Sequence, residues 1–194
     1  MIHPHTELKF INDEVGHGVV ATQFIPTGTI TWVMDQLDRE FTPKQFQKMN
    51  ALYQNILETY TFRTSKGNLV LCWDHGRFVN HSFKSNCIST AYDFEIAVRD
   101  IQPGEQLTDD YGYLNITEPF KAVDEGTKRK TVYPNDLEKY HQLWDKQLAN
   151  SFPKIAEVAQ PLTPLLSEKT KKEIDLVLSG KKPLASILEL YYRK

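Results

Sequence analysis

The chain has little cysteine: Cys72 and Cys87 are the only two in 194 residues. They could pair with each other, but two thiols make no disulfide scaffold, and a reduced state in the cytoplasm is the expectation. No CxxC pair and no His or Cys cluster surrounds them, so no metal is expected. No run of about 18 apolar residues is present, which excludes a spanning helix, and no membrane association is expected. The opening Met1-Ile2-His3-Pro4-His5 lacks the basic start and apolar core of a secretory signal. Charge of one sign is also missing. The net charge is -2, so no broad phosphate-binding face and no strong nucleic-acid binding are expected. There is no P-loop and no GxSxG elbow.

What is present divides at about residue 120. Residues 1–120 carry 9 Lys and Arg against 15 Asp and Glu, and residues 121–194 carry 14 against 10. That contrast is either ordinary solvated surface or an acidic N-terminal module suited to cationic substrates. With 40% hydrophobic and 25% charged residues, the chain has the means to bury a core without metals or disulfides.

The first part reads as short strands. Val19 to Ile25 is β-branched and aromatic and stops at Pro26-Thr27-Gly28, and Thr29 to Met34 resumes the pattern. Tyr60–Thr64 and Leu69–Trp73 flank the polar loop Ser65-Lys66-Gly67-Asn68, which predicts a hairpin. Phe94 to Arg99 alternates with period two and ends at Gln102-Pro103-Gly104-Glu105, a type II turn signal. The segment Ala21 to Ile30 is echoed by Ala97 to Leu107. One helix interrupts the strands, with Thr42, Pro43 and Gln45 forming its start. Phe46, Met49, Leu52, Tyr53, Ile56 and Leu57 follow at helical spacing and read as core.

The second part reads as helical. Asp124 to Lys130 is a charged loop expected to be mobile. Asn135 or Asp136 can cap a helix carrying Leu137, Tyr140, Leu143, Trp144 and Leu148, and Ser167 can cap another ending near Gly180. A last helix is expected from about Pro183 through Tyr192. The expected architecture is α+β: a mainly β module over 1–120 followed by a helical extension over 121–194.

Three polar motifs carry candidate chemistry. Gly16-His17-Gly18 precedes a strand and can bring backbone close to a ligand, though a plain turn explains it equally well. Arg77-Phe78-Val79-Asn80-His81-Ser82 is dense in hydrogen-bonding groups, as a polar turn with a satisfied histidine also would be. In Gly104 to Tyr113, Tyr111 and Tyr113 share one face of a short strand or line a turn. Taken together and in order, Gly16-His17-Gly18, Arg77 to Ser82, Gly104-Glu105-Gln106-Leu107 and Asp110-Tyr111-Gly112 resemble the SET domain, the β-fold family of protein lysine methyltransferases. The resemblance covers residues from about 5 to 120.

The resemblance implies small curled sheets around a pseudoknot, in which the Asn80 and Tyr111 segments thread past each other. It implies S-adenosylmethionine as methyl donor, with S-adenosylhomocysteine as product, and a lysine-containing, basic protein or peptide as substrate. Backbone at Gly16, His17 and Gly18 would cradle the methionine end of the donor. Asn80 and His81 would meet its amino group and adenine, Phe120 would join them, and Tyr111 would be the active-site tyrosine. Tyr60 and Tyr113 are candidate walls of the lysine channel. Ser89 stands where a tyrosine bearing on product degree is common. Many members carry a cysteine after Asn-His-Ser that joins a later zinc cluster. Here Phe83 holds that position and no cysteine follows Cys87, so Phe120 and the helix around Tyr140 and Trp144 are the candidates for closing the channel. Two other readings remain open: a SET-like module that binds donor or peptide without turnover, and a β-rich adaptor whose helical tail binds a partner.

Overall fold

The computed structural model describes residues 1–193. Five small sheets replace any single large one. Thr6–Asn12 pairs antiparallel with Gly16–Ala21. Phe94–Ala97 lies between Ile30–Val33 and Cys87–Ser89, and the expected hairpin forms, with Leu69–Leu71 between Thr61–Arg63 and Arg39–Phe41. Pro/Gly turns such as Pro26-Thr27-Gly28 and Pro103-Gly104 bound several of these short strands, and the sheets remain separate patches. The fold is α+β and mainly β, as expected.

The two echoing segments pair with each other. Ile25 and Ile101 exchange backbone hydrogen bonds at 3.0 and 2.9 Å, Gly28 N–H donates to the Ala97 carbonyl, and Gly104 N–H donates to the Ala21 carbonyl. A further pairing matters for the site: Asn80–His81 runs parallel to Thr108–Asp109. It sets side by side two motifs that lie far apart in sequence.

The helix expected from Thr42 is two helices, α1 (Pro43–Gln47) and α2 (Ala51–Tyr60). Thr42 caps the first as expected. Asn50 then caps the second, its side chain accepting from the Leu52 N–H at 2.9 Å, and this break rotates the apolar stripe out of register. Phe46, Met49 and Leu57 pack with Phe41 and Leu69, but Leu52 is 74% exposed and Tyr53 and Ile56 face solvent as well. The expectation that this stripe is core is therefore corrected.

Beyond residue 120, α3 (Asp136–Ser151) and α4 (Glu168–Leu178) form as expected, with Ser167 capping α4. Residues 183–192 form no α-helix. They hold only a 3-10 turn at Ile187–Leu190. The largest apolar cluster crosses the boundary at 120: Ile30, Val33, Ile88, Phe94 and Ile96 from the strands meet Leu137, Trp144, Leu148, Phe152 and Ile174 from the tail. Gln160 fastens the contact by accepting from the Ile30 N–H at 2.8 Å and donating to the Gly28 carbonyl at 2.8 Å. The helices thus cover a sheet face on which the cavity described next does not lie.

Candidate active site

A cavity of about 650 Å³ opens among the sheets. Trp32, Tyr60, Phe62, Val79, Tyr111 and Phe120 line it, together with Glu58, Glu95, Asp109 and Glu118 against Arg63 and Arg77. Its walls are aromatic and its charge is predominantly acidic. That suits a side chain with an apolar stem and a cationic end.

Tyr111 sits where this cavity meets the motif residues. The Tyr111 hydroxyl donates to the Val79 carbonyl at 2.6 Å, and its backbone N–H donates to His81 Nδ1 at 3.1 Å. That second bond makes Nδ1 an acceptor, so the neutral ring carries its proton on Nε2. Burial keeps the imidazole neutral by lowering its pKa, against an opposing pull from Asp110. The Nε2 atom is buried and has no partner among the described residues. Phe83, Phe120 and Tyr111 enclose the ring at 4.5, 5.5 and 5.4 Å between centroids.

Beside it the glycine motif forms a tight cradle. Asn80 Nδ2 donates to the His17 carbonyl at 3.1 Å and to Gln106 Oε1 at 3.1 Å. A Cβ on Gly18 would stand 2.5 Å from Gln106 Oε1 and 2.8 Å from Asn80 Nδ2, so a larger residue would push these two side chains out of their hydrogen bond. Gly16 pairs with Asn12 at the bulged end of the strand. The structure therefore brings His17, Gly18, Asn80, His81, Tyr111 and Phe120 together, and Tyr60 lines the cavity with its ring 5.3 Å from Phe78. The cradle and the orphaned His81 N–H are features that a polar, extended ligand would satisfy.

Two expected channel residues lie elsewhere. Tyr113 is 1% exposed. Its hydroxyl donates to the Cys87 carbonyl or the Asp109 carboxyl, at 3.0 and 2.9 Å, and its ring packs edge-on against Trp144. The cause is the 3-10 turn at Tyr111–Tyr113. Alternate residues share a face in a strand, but successive residues turn by about 120° in a 3-10 helix. Ser89 does not reach the cavity either. It donates to Glu95 Oε1 at 3.0 Å, and Glu95 occupies the wall in its place.

The tail contributes to the site through its loops. Glu125 accepts from the Ser82 hydroxyl at 2.7 Å and from the Phe83 N–H at 2.8 Å. Arg129 bridges Asp110, next to Tyr111, to Asp136 at the start of α3. Its guanidinium also lies 4.5 Å from the Phe83 and Tyr140 ring centroids. The loop expected to be mobile is thus pinned at both residues. Gly112 makes room for the bridge, because a Cβ there would stand 2.7 Å from Arg129 Nη2. Tyr140 and Trp144 pack around Arg129 and Tyr113 and do not line the cavity. Residues 114–118 form that rim instead. Asn115 holds it by donating to the carbonyls of Arg63 and Leu190 and accepting from the Tyr192 N–H.

Sequence reasoning assigned no role to Glu95, Asp109, Asn115 or Arg129. A signal for Glu95 existed: it is an acid inside the apolar run Phe94 to Ala97, all four residues of which are buried. Arg129→Ala is expected to destabilise the protein by about 3–5 kcal/mol, because two buried carboxylates lose their counter-charge. The Arg129 side chain is only 14% exposed, so solvent cannot replace it. Chemical denaturation checks this, and a loss under 1 kcal/mol would remove Arg129 as the clamp.

Among the described residues no group of three or more His, Cys, Asp or Glu side chains is placed to hold a metal. A SET domain model matches residues 16–112, half of the chain, and the chain belongs to the SET domain family. It is 26% identical over 123 residues to the histone-lysine N-methyltransferase Set2 of Drosophila melanogaster. That alignment covers 54% of this chain and 5% of the relative, so the chain spans a small part of the protein it resembles. Family and relative support lysine methyl transfer as the general chemistry.

Proposed function

We propose that the protein transfers a methyl group from S-adenosylmethionine to a lysine of a basic protein or peptide. The observation that carries this reading is the position of Tyr111, which lines the acidic, aromatic cavity and also packs on His81 and Phe120. One side suits a lysine and the other suits the donor. Gly16, His17, Gly18, Asn80, His81, Tyr111 and Phe120 would hold the donor, which supplies an electrophilic methyl on a cationic sulfur.

Tyr111 is an orienting group and not a base. Burial first, then the charges of Asp109 and Glu95, push its pKa up, so the phenol keeps its proton at neutral pH. That proton is committed to Val79, which leaves the phenol oxygen as an acceptor able to align an amine. The aromatic walls exclude water, and the cationic sulfur of the donor beside the amine disfavours the ammonium form. Alignment of this kind is worth roughly 7–11 kcal/mol in well-oriented systems.

Incubation with labelled donor and a protein extract, followed by mass spectrometry, tests the reading. Methylated lysines dependent on the added protein are expected, and donor binding without any incorporation would overturn it. Asn80→Ala is expected to weaken donor binding about 5- to 100-fold. It deletes two hydrogen bonds that hold the glycine cradle, worth about 0.5–1.5 kcal/mol each. Calorimetry that finds equal affinity for wild type and variant would take Asn80 out of the donor site.

A further inference from the structure

The apolar stripe of α2 has no place in the core and no role in the donor site. Leu52 is 74% exposed, Tyr53 64% and Ile56 48%. Apolar side chains scattered singly over a surface need no explanation, but these three are contiguous. Leu52 and Ile56 stand one turn apart, and Thr59 and Tyr60 follow one turn later, so the four share one face of the helix. Tyr53 widens that face beside Ile56. The Asn50 cap, which starts a new helix at Ala51, is what turns the stripe outward.

The cavity sets where the stripe leads. Its lining residues divide into a floor and a mouth. Trp32, Glu95 and Asp109 are buried, whereas Glu58, Thr59, Thr117 and Glu118 line the same cavity and are exposed. The opening therefore lies between the end of α2 and the rim at residues 117–118. Thr59 and Tyr60 belong both to the stripe and to the cavity wall. An apolar track thus runs along α2 from Leu52 over Ile56 into the mouth. With a helical rise of about 1.5 Å per residue, Ile56 stands about 6 Å and Leu52 about 12 Å from Tyr60 along the axis.

Two features point to the occupant of this track. A chain that passes a lysine through the mouth leaves its flanking residues beside the end of α2, where the track begins. Glu58 and Glu118 set negative charge at the mouth, and residues 1–120 carry 9 Lys and Arg against 15 Asp and Glu, which suits a basic chain. An extended chain advances about 3.3 Å per residue, so the span from Ile56 to Leu52 matches positions about two to four residues from the lysine. Resting on the methyl-transfer reading of the cavity, we infer that Leu52 and Ile56 form a docking track for the substrate polypeptide itself, which carries a large apolar residue two to four positions from its target lysine in an otherwise basic, extended segment. The track touches no reacting atom. It binds the substrate equally before and during reaction, so it lowers KM and leaves kcat unchanged.

Incubation of the full chain with labelled donor and a protein extract, followed by mapping of the methylated lysines, tests this together with a Leu52→Gln/Ile56→Gln double variant. Both substitutions lie on the exposed face and keep helix propensity, and unchanged melting and donor affinity show that the variant is intact. The sites methylated by the wild type are expected to carry an aliphatic or aromatic residue two to four positions from the lysine, on one side. A synthetic peptide copied from the strongest site then gives KM and kcat. Replacing its apolar residue by serine is expected to raise KM about tenfold for the wild type at constant kcat. That change equals about 1.4 kcal/mol, less than burial of one leucine side chain supplies. The double variant is expected to show the raised KM on the unaltered peptide and no further rise on the serine peptide. Methylated sites without a flanking apolar residue, or a serine effect undiminished in the double variant, would overturn the inference and leave methyl transfer standing. A wild type that sediments as a dimer, with the double variant a monomer, would assign the stripe to a contact between copies and overturn it equally. Donor binding with no methylated lysine at all would overturn the methyl-transfer reading, and the docking track with it.

Discussion

A chain ending at residue 120 is expected neither to fold cooperatively nor to stay soluble. The cut removes Leu137, Trp144, Leu148, Phe152 and Ile174 from the largest apolar cluster and uncovers Ile30, Val33, Ile88, Phe94, Ile96 and Tyr113. At roughly 1.5–3 kcal/mol for each large apolar side chain returned to water, the loss matches or exceeds the ~5–15 kcal/mol by which a domain is stable. The exposed sheet face would also be an aggregation surface. The cut further deletes Arg129 and Glu125, so Asp110, Ser82 and Phe83 lose the contacts that fix the turn bearing Tyr111. Circular dichroism melting and gel filtration check this. A soluble fragment with a sharp transition would show that the β module carries its own core.

Tyr111→Phe is expected to lower kcat about 10²–10³-fold, the range seen when one preorganised hydrogen-bonding group is removed from a reaction centre, while donor affinity stays nearly unchanged. The ring that packs on His81 and Phe120 is kept, and the backbone bond from residue 111 to His81 does not depend on the hydroxyl. The substitution leaves the Val79 carbonyl without its 2.6 Å donor, a cost of about 1–3 kcal/mol to stability. Single-turnover kinetics with separately measured donor binding tells the effects apart. An equal fall in donor affinity would mean that the hydroxyl supports the donor pocket and not the amine.

The motifs and the local elements were legible because short-range chemistry decides them. Thr42, Ser167 and the Pro/Gly turns stop and start the chain through their own hydrogen bonds and dihedral preferences. The Asn80-His81 and Asp110-Tyr111-Gly112 runs stand out as polar groups between apolar strands. The amphipathic patterns of α3 and α4 likewise require a partner surface without naming it. Local chemistry misled where two signals competed. Asn50 capping outweighed the helical spacing from Phe46 to Leu57, and at Tyr111–Tyr113 the turn formed in place of the short strand that the segment equally allowed.

The sequence by itself determined the family resemblance, the α+β class and the motif residues that gather beside Tyr111. These follow from motif identity and near-neighbour preferences. Only the tertiary structure decided which side chains share the cavity. The parallel pairing of Asn80–His81 with Thr108–Asp109 places Asp109 on the cavity that Glu95 also lines. The pinned loop brings Arg129 to Asp110, and Asn115 ties the rim to the end of the tail. Each is a contact between residues far apart along the chain. Such contacts arise from the packing of separate strands and turns, and no periodicity or spacing within one segment encodes which distant partner that packing will supply.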